Sequence, residues 1–225
     1  MGISRKKLKL NKIQSYTNRE NLLKTKTPQN LPKPALKNFN ILASAFEQTA
    51  DQRLEKILNF GEKIETIRNF NQLVDFIVEQ ASSILESERC SLMLLDEHKG
   101  ELCIKGAVGL EHDIIKKSKV SIGEDIAGLV VREGKPILVK VIDDDQQHQK
   151  DYFPTYKTRS LLSVPIKFDQ KIIGVLNVTD KKSRDNSVYT KIDLKILLTI
   201  VRQVSIALEN AQLSKELKYL TIVDP

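Results

Sequence analysis

The sequence predicts an α+β fold, and three observations carry that prediction. Helical periodicity occupies both ends of the chain, strand-length apolar runs occupy its middle, and those runs come in pairs joined by turns short enough for antiparallel neighbours. At 225 residues the chain can bury a core without staples. Its two cysteines, Cys90 and Cys103, sit in apolar segments and read as buried thiols of a reducing compartment.

Residues 1–38 are rich in Lys, Asn, Thr and Pro, and their aliphatics keep no period, which predicts a disordered basic tail. Residues 1–40 hold ten Lys or Arg against Glu20 alone, whereas the remainder carries 26 bases and 28 acids. The net charge of +7 therefore belongs to the tail, and the folded part is close to neutral. A nucleic-acid-associated regulator using the tail as a basic arm is an alternative reading. No recognition helix or stacking motif supports it beyond electrostatics, so nucleic acid is not an expected partner. No window approaches 18 apolar residues and the start lacks a secretory apolar stretch, which predicts a cytoplasmic chain without membrane insertion.

Residues 39–69 are predicted as an N-terminal helix, with Leu54, Ile57, Gly61 and Ile64 at alternating spacings of three and four along a narrow stripe. A second helix follows in NQLVDFIVEQASSIL, where Leu73, Val74, Ile77, Val78, Ala81, Ile84 and Leu85 make a wide face fit to cover a sheet. CSLMLLD and ELCIKGAVG, parted by EHKG, read as a hairpin. In SIGEDIAGLVVREGKPILV, Gly123 precedes a short helix, Gly134 ends it, and Pro136 opens an extended segment through Ile142. Residues 143–158 form a polar connection bearing aromatics. RSLLSVPIKF and KIIGVLNVTD then read as two strands about a tight turn at Asp169 and Gln170. Residues 190–220 are predicted as a long C-terminal helix, free of Gly and Pro. Leu194, Leu197, Val201, Val204, Leu208 and Ala211 form its heptad seam and Ile196 and Ile200 a second face, so that one face covers the sheet and the other pairs with a second copy.

CSLMLLDE (90–97), GEDIAGLVVREGKPILV (123–139), and SLLSVPI with IIGVLNV (160–166, 172–178) together resemble the GAF domain family. The resemblance spans about residues 70–210 and places the domain proper at 70–189. It implies a central antiparallel sheet of about six strands with helices on both faces, and a ligand pocket under the short helix and the long connection. It also implies that Gly123 and Gly128 serve close backbone packing or positive φ, and that Pro165 sits where a ladder donor is dispensable. The walls of such a pocket come from Ile126 and Leu129, from Tyr152, Phe153 and Tyr156, and from Arg159, Ser163, Asn177 and Thr179, with Arg159 available to an anionic ligand. LKYLTIVDP is similar to the lead-in of a GGDEF diguanylate cyclase domain, so residues 221–225 read as the start of an output domain absent from this chain.

No catalytic apparatus is expected. His98, His112 and His148 stand far apart without a second metal ligand at helical or strand spacing, and the acids Asp143 to Asp145 near His148 read as a solvated loop. GEDIAG lacks the spacing and the Lys of a phosphate loop. Cyclic-nucleotide-binding relatives carry an N-K, F, D-E pattern after the last strand. Here Asn177 is followed by Val178, Tyr189 stands near the Phe position, and Asp193 precedes Leu194, so a cyclic nucleotide is not favoured over another small molecule. Neither Cys has the adjoining His of bilin-binding relatives. No cofactor is identified. The expected function is a sensor in which a small ligand changes the packing of a dimeric C-terminal helix. The alternative is a dimerisation scaffold that binds nothing small.

Overall fold

The computed structural model describes residues 33–140, 160–182 and 188–223. Two units are distinguished, Met1–Asp51 and Gln52–Pro225, and the sheet with all the helices packed on it belongs to the second. Helix α1 (Lys33–Ile64) crosses from one unit into the other. It begins inside the segment expected to be a tail, with Pro34 in the first turn, where its missing N–H costs nothing. It ends at Ile64, short of the expected 69, because Asn69 is needed as the next cap: its side chain accepts the N–H of Gln72 at the start of α2 (Phe70–Leu85).

Six strands follow: β1 (Ser87–Asp96), β2 (Glu101–Val108), β3 (Lys119–Ser121), β4 (Ile137–Val139), β5 (Leu161–Phe168) and β6 (Lys171–Lys181). They form one antiparallel sheet in the order β3-β2-β1-β6-β5-β4. The two expected hairpins are β1 with β2 and β5 with β6, the latter turning at Asp169 with φ 48°. The helix α3 (His112–Lys117) and the short strand β3 lie in and next to the polar stretch after Leu110, where the sequence predicts no element. Helix α4 (Asp125–Glu133) is closed by Gly134 in the left-handed region, as its position predicted. Gly123 has φ 90°, and a Cβ on Gly128 would stand 2.2 Å from the carbonyl oxygen of Ser121, so both glycines are dictated by backbone. Pro165 lies in the part of β5 beyond the reach of β4, which pairs only with Leu161 to Ser163.

Helix α5 (Lys191–Val223) completes the chain and carries the expected helix on through the first residues set apart as a joint. One sheet face is covered by α2 and α5, and the end of α1 packs on these two helices through Phe60, Gly61 and Ile64. Every apolar residue named above for α2 is buried there, together with Cys90, Leu92, Leu162, Val164, Ile166, Leu176 and Val178 from the strands. Each large aliphatic buried this way stabilises the fold by about 1.5–3 kcal/mol. The α5 seam from Leu197 to Ala211 and the second face at Ile200 both enter this same core, because α5 is wedged between β5 and α2. Among the described residues, the large apolar side chains that α5 leaves exposed are Ile192, Ile206 and Leu213. The opposite sheet face is covered by α4, over a smaller core of Met93, Leu102, Val130, Val139, Leu161 and Val175. Among the described residues no helix is long and apolar enough to cross a membrane.

Candidate functional site

Strand alternation sends Arg89, Ser91 and Met93 of β1 to the α4 side, opposite Cys90 and Leu92. Register sets Arg89 against Thr179 and Ser91 against Asn177 on β6, and β5 continues the two rows with Leu161 and Ser163. Between these rows and the α3 to α4 segment lies a cavity of about 490 Å³. Such a volume suits a small molecule.

Its floor carries a polar row. The Ser163 hydroxyl donates to Asn177 Oδ1 at 2.6 Å, and Asn177 Nδ2 donates to Ser91 Oγ at 3.3 Å. These bonds fix the orientation of the amide. Ser91 accepts from Asn177, so its own proton remains to be given, and Thr179 adds a second hydroxyl to the floor. Asp125 stands on the α4 wall, held at φ 52° with its carboxylate accepting the N–H of Ile126. Burial pushes its pKa up, against the pull of that N–H. At the opposite end Arg89 Nε lies 3.3 Å from the fully buried Asp180 carboxylate.

Of the residues expected to line a pocket, Ile126, Asn177 and Thr179 do line it. Ser163 is buried beneath the floor and acts on it through Asn177, and Leu129 lies outside the lining. Tyr152, Phe153, Tyr156 and Arg159 fall outside the described residues. Sequence reasoning missed Arg89, Ser91, Met93 and Asp125. The signal for the first three was the two-residue period of β1, hidden because that strand is covered on both faces. Cys90 is a buried free thiol whose pKa burial raises, whereas Cys103 is free and only half-buried. Among the described residues no group of three or more His, Cys, Asp or Glu side chains is placed to hold a metal ion.

Residues where α5 begins form a second polar centre. Thr190 and Asp193 cap the helix reciprocally: Thr190 N and Oγ1 both donate to Asp193 Oδ2 at 2.8 Å, and Asp193 N donates to Thr190 Oγ1 at 3.3 Å. Lys181 Nζ also meets Asp193 Oδ2 at 2.8 Å, and Arg53 Nη2 meets Oδ1 at 2.8 Å. Burial alone would raise the Asp193 pKa, but the bonds from Lys181, Arg53 and Thr190 win and hold it at about 2. Lys181 lies over the buried Tyr189 ring, 5.3 Å from its centroid. The side chains weighed above against a nucleotide-binding pattern thus divide between the cavity floor, at Asn177, and this centre, at Tyr189 and Asp193.

Residues 68–209 match the family model of the GAF domain. The chain is 26% identical over 179 residues to the Nif-specific regulatory protein of Herbaspirillum seropedicae, covering 75% of this chain and 32% of that protein. It is 30% identical over 141 residues to the dual 3',5'-cyclic-AMP and -GMP phosphodiesterase 11A of Takifugu rubripes, covering 58% of this chain and 16% of that protein. The chain thus spans a third or less of the length of these curated relatives. Among solved structures, the GAF domain of an Acinetobacter phosphoenolpyruvate-protein phosphotransferase superposes with a TM-score of 0.62 at 22% identity, covering 72% of this chain and 95% of that one.

Proposed function

This chain belongs to the GAF domain family, and from that membership we propose that it is a sensory module whose cavity binds a small molecule and whose long helices pass the bound state to an output module or partner. The observation that carries this reading is the cavity of about 490 Å³ on the α4 face, floored by hydroxyl and amide groups. A pocket that served packing alone would be filled by apolar side chains. In this reading the chain acts by binding and not by catalysis, in the cytoplasm, where its two cysteines stay reduced. The fish phosphodiesterase puts cyclic nucleotides among the first ligands to try.

Transmission runs through α1 and α5, and a second copy pairs with the first along their outward faces, where Leu54, Leu58, Ile206 and Leu213 are exposed. The likeness of LKYLTIVDP to a GGDEF lead-in supports an output of that type.

Native mass spectrometry of the purified chain, followed by melting curves against a metabolite panel that includes both cyclic nucleotides, tests the proposal. A small molecule released from a dimer, or a ligand-induced rise in Tm abolished by Ala127→Trp in the cavity wall, is the expected result. A chain that carries nothing, and whose Tm moves with no compound, would overturn it.

A further inference from the structure

The cavity and the roots of the long helices meet at two consecutive residues. Asp180 is held by Arg89, a cavity-lining side chain, while Lys181 is held by Asp193 at the start of α5. Asp193 also takes Arg53 of α1, and Arg53 Nε reaches on to the carbonyl of Ile84 in α2 at 3.3 Å. Asp180 and Asp193 are both out of contact with solvent, and Lys181 is only 11% exposed. Buried charges must keep partners, so a shift of one member obliges its neighbours to follow. The backbone leaves little slack at this point, since Asp180 adopts φ 56°, a left-handed conformation costly for a residue with a Cβ.

We infer that the Asp180–Lys181 pair at the end of β6 couples occupancy of the cavity to the seating of α1 and α5. An occupant that moves Arg89 moves Asp180, and the next peptide carries Lys181 with it. Lys181 shares Oδ2 of Asp193 with the Thr190 cap, so the displacement reaches the first turn of α5, and through Oδ1 it reaches Arg53 on α1. Arg53, Lys181 and Asp193 are positioning residues in this scheme. By linkage, a change at the helices alters affinity in the cavity by the same factor.

The inference rests on the cavity being the sensing site, and filling it covalently separates the two ideas. In the full chain, Ser91→Cys in a Cys103→Ser background is modified with benzyl methanethiosulfonate, and mass spectrometry confirms one adduct while the buried Cys90 stays free. Hydrogen exchange is then followed in residues 52–64 and 190–200. Modification is expected to change exchange several-fold in both segments. Lys181→Met should abolish both responses, and Arg53→Met should abolish that of 52–64 while sparing 190–200. Unaltered exchange after complete modification, a parental response in Lys181→Met, or failure of the introduced thiol to react would overturn the coupling. Should Lys181→Met not fold, Arg53→Met decides alone, because Arg53 is the more exposed and leaves the Asp193 cap intact. A tether response in a chain for which no natural ligand is found would leave the coupling standing and fault the ligand reading.

Discussion

The two faces of the sheet are built from the same strands and do opposite things. Toward the helices, Cys90, Leu92, Leu162, Val164, Leu176 and Val178 meet α2 and α5 in one closed apolar layer. Toward α4, the neighbouring positions Ser91, Asn177 and Thr179 are polar and border a void, with Ser163 buried beneath them. The larger apolar core lies on the first face, and the cavity lies on the second beside a smaller one. The period of two along a strand lets one segment serve both without compromise.

This division is most easily broken at the helix face. Ile77→Ala should cost about 2–5 kcal/mol, because the fully buried side chain leaves a hole that α2 cannot close, and thermal unfolding would register it. Gly128→Ala should cost about 1–3 kcal/mol, since the new methyl would meet the Ser121 carbonyl and push α4 from the sheet. A comparable loss from both substitutions in the absence of any change in cavity behaviour would contradict the division. Removing the helix cap with Thr190→Ala should cost about 1 kcal/mol. The smallest effect is expected on the cavity floor. Thr179→Val, which keeps the shape of the side chain and breaks no bond described above, should change stability by no more than about 0.5 kcal/mol while lowering affinity for the ligand found by native mass spectrometry. A large loss of stability there would show that the floor is part of the scaffold.

Acid sharpens the same contrast. The folded pKa of Asp193, about 2, lies below its unfolded value of about 3.9, so its contribution is fully present above about pH 4 and is lost as the pH falls toward 2. Asp193→Asn should flatten that part of the stability profile in denaturant titrations at successive pH values. Asp125 is displaced in the opposite sense by burial, so its contribution to stability is present at low pH and is lost as the pH rises from its unfolded value through its raised folded one.

How much of this was legible depended on whether a segment meets one environment or two. The α2 face was readable residue by residue, because one side is dry and the other wet and the period of 3.6 shows through. Gly134 was readable from its place at the end of α4, and the family resemblance implied the roles of Gly123 and Gly128, where positive φ and close backbone contact require glycine. β1 was recognised as a strand, but its faces could not be told apart, since Ser91 and Met93 pack under α4 as Cys90 and Leu92 pack under α2. The α5 seam looked like a pairing surface because a core and a coiled coil ask for the same heptad spacing, and here the core uses it. Arg53 stood 140 positions away from Asp193, a separation at which no periodicity connects two charges.

The sheet's borders decide how copies of this protein can meet. Within the described residues it ends in three-residue strands, β3 on one side and β4 on the other, and past β4 the free margin of β5 carries Pro165, which has no N–H to offer. A second chain arriving strand-first finds neither enough length nor a full row of donors to extend the ladder. Growth into stacked β-assemblies is thereby discouraged at both margins.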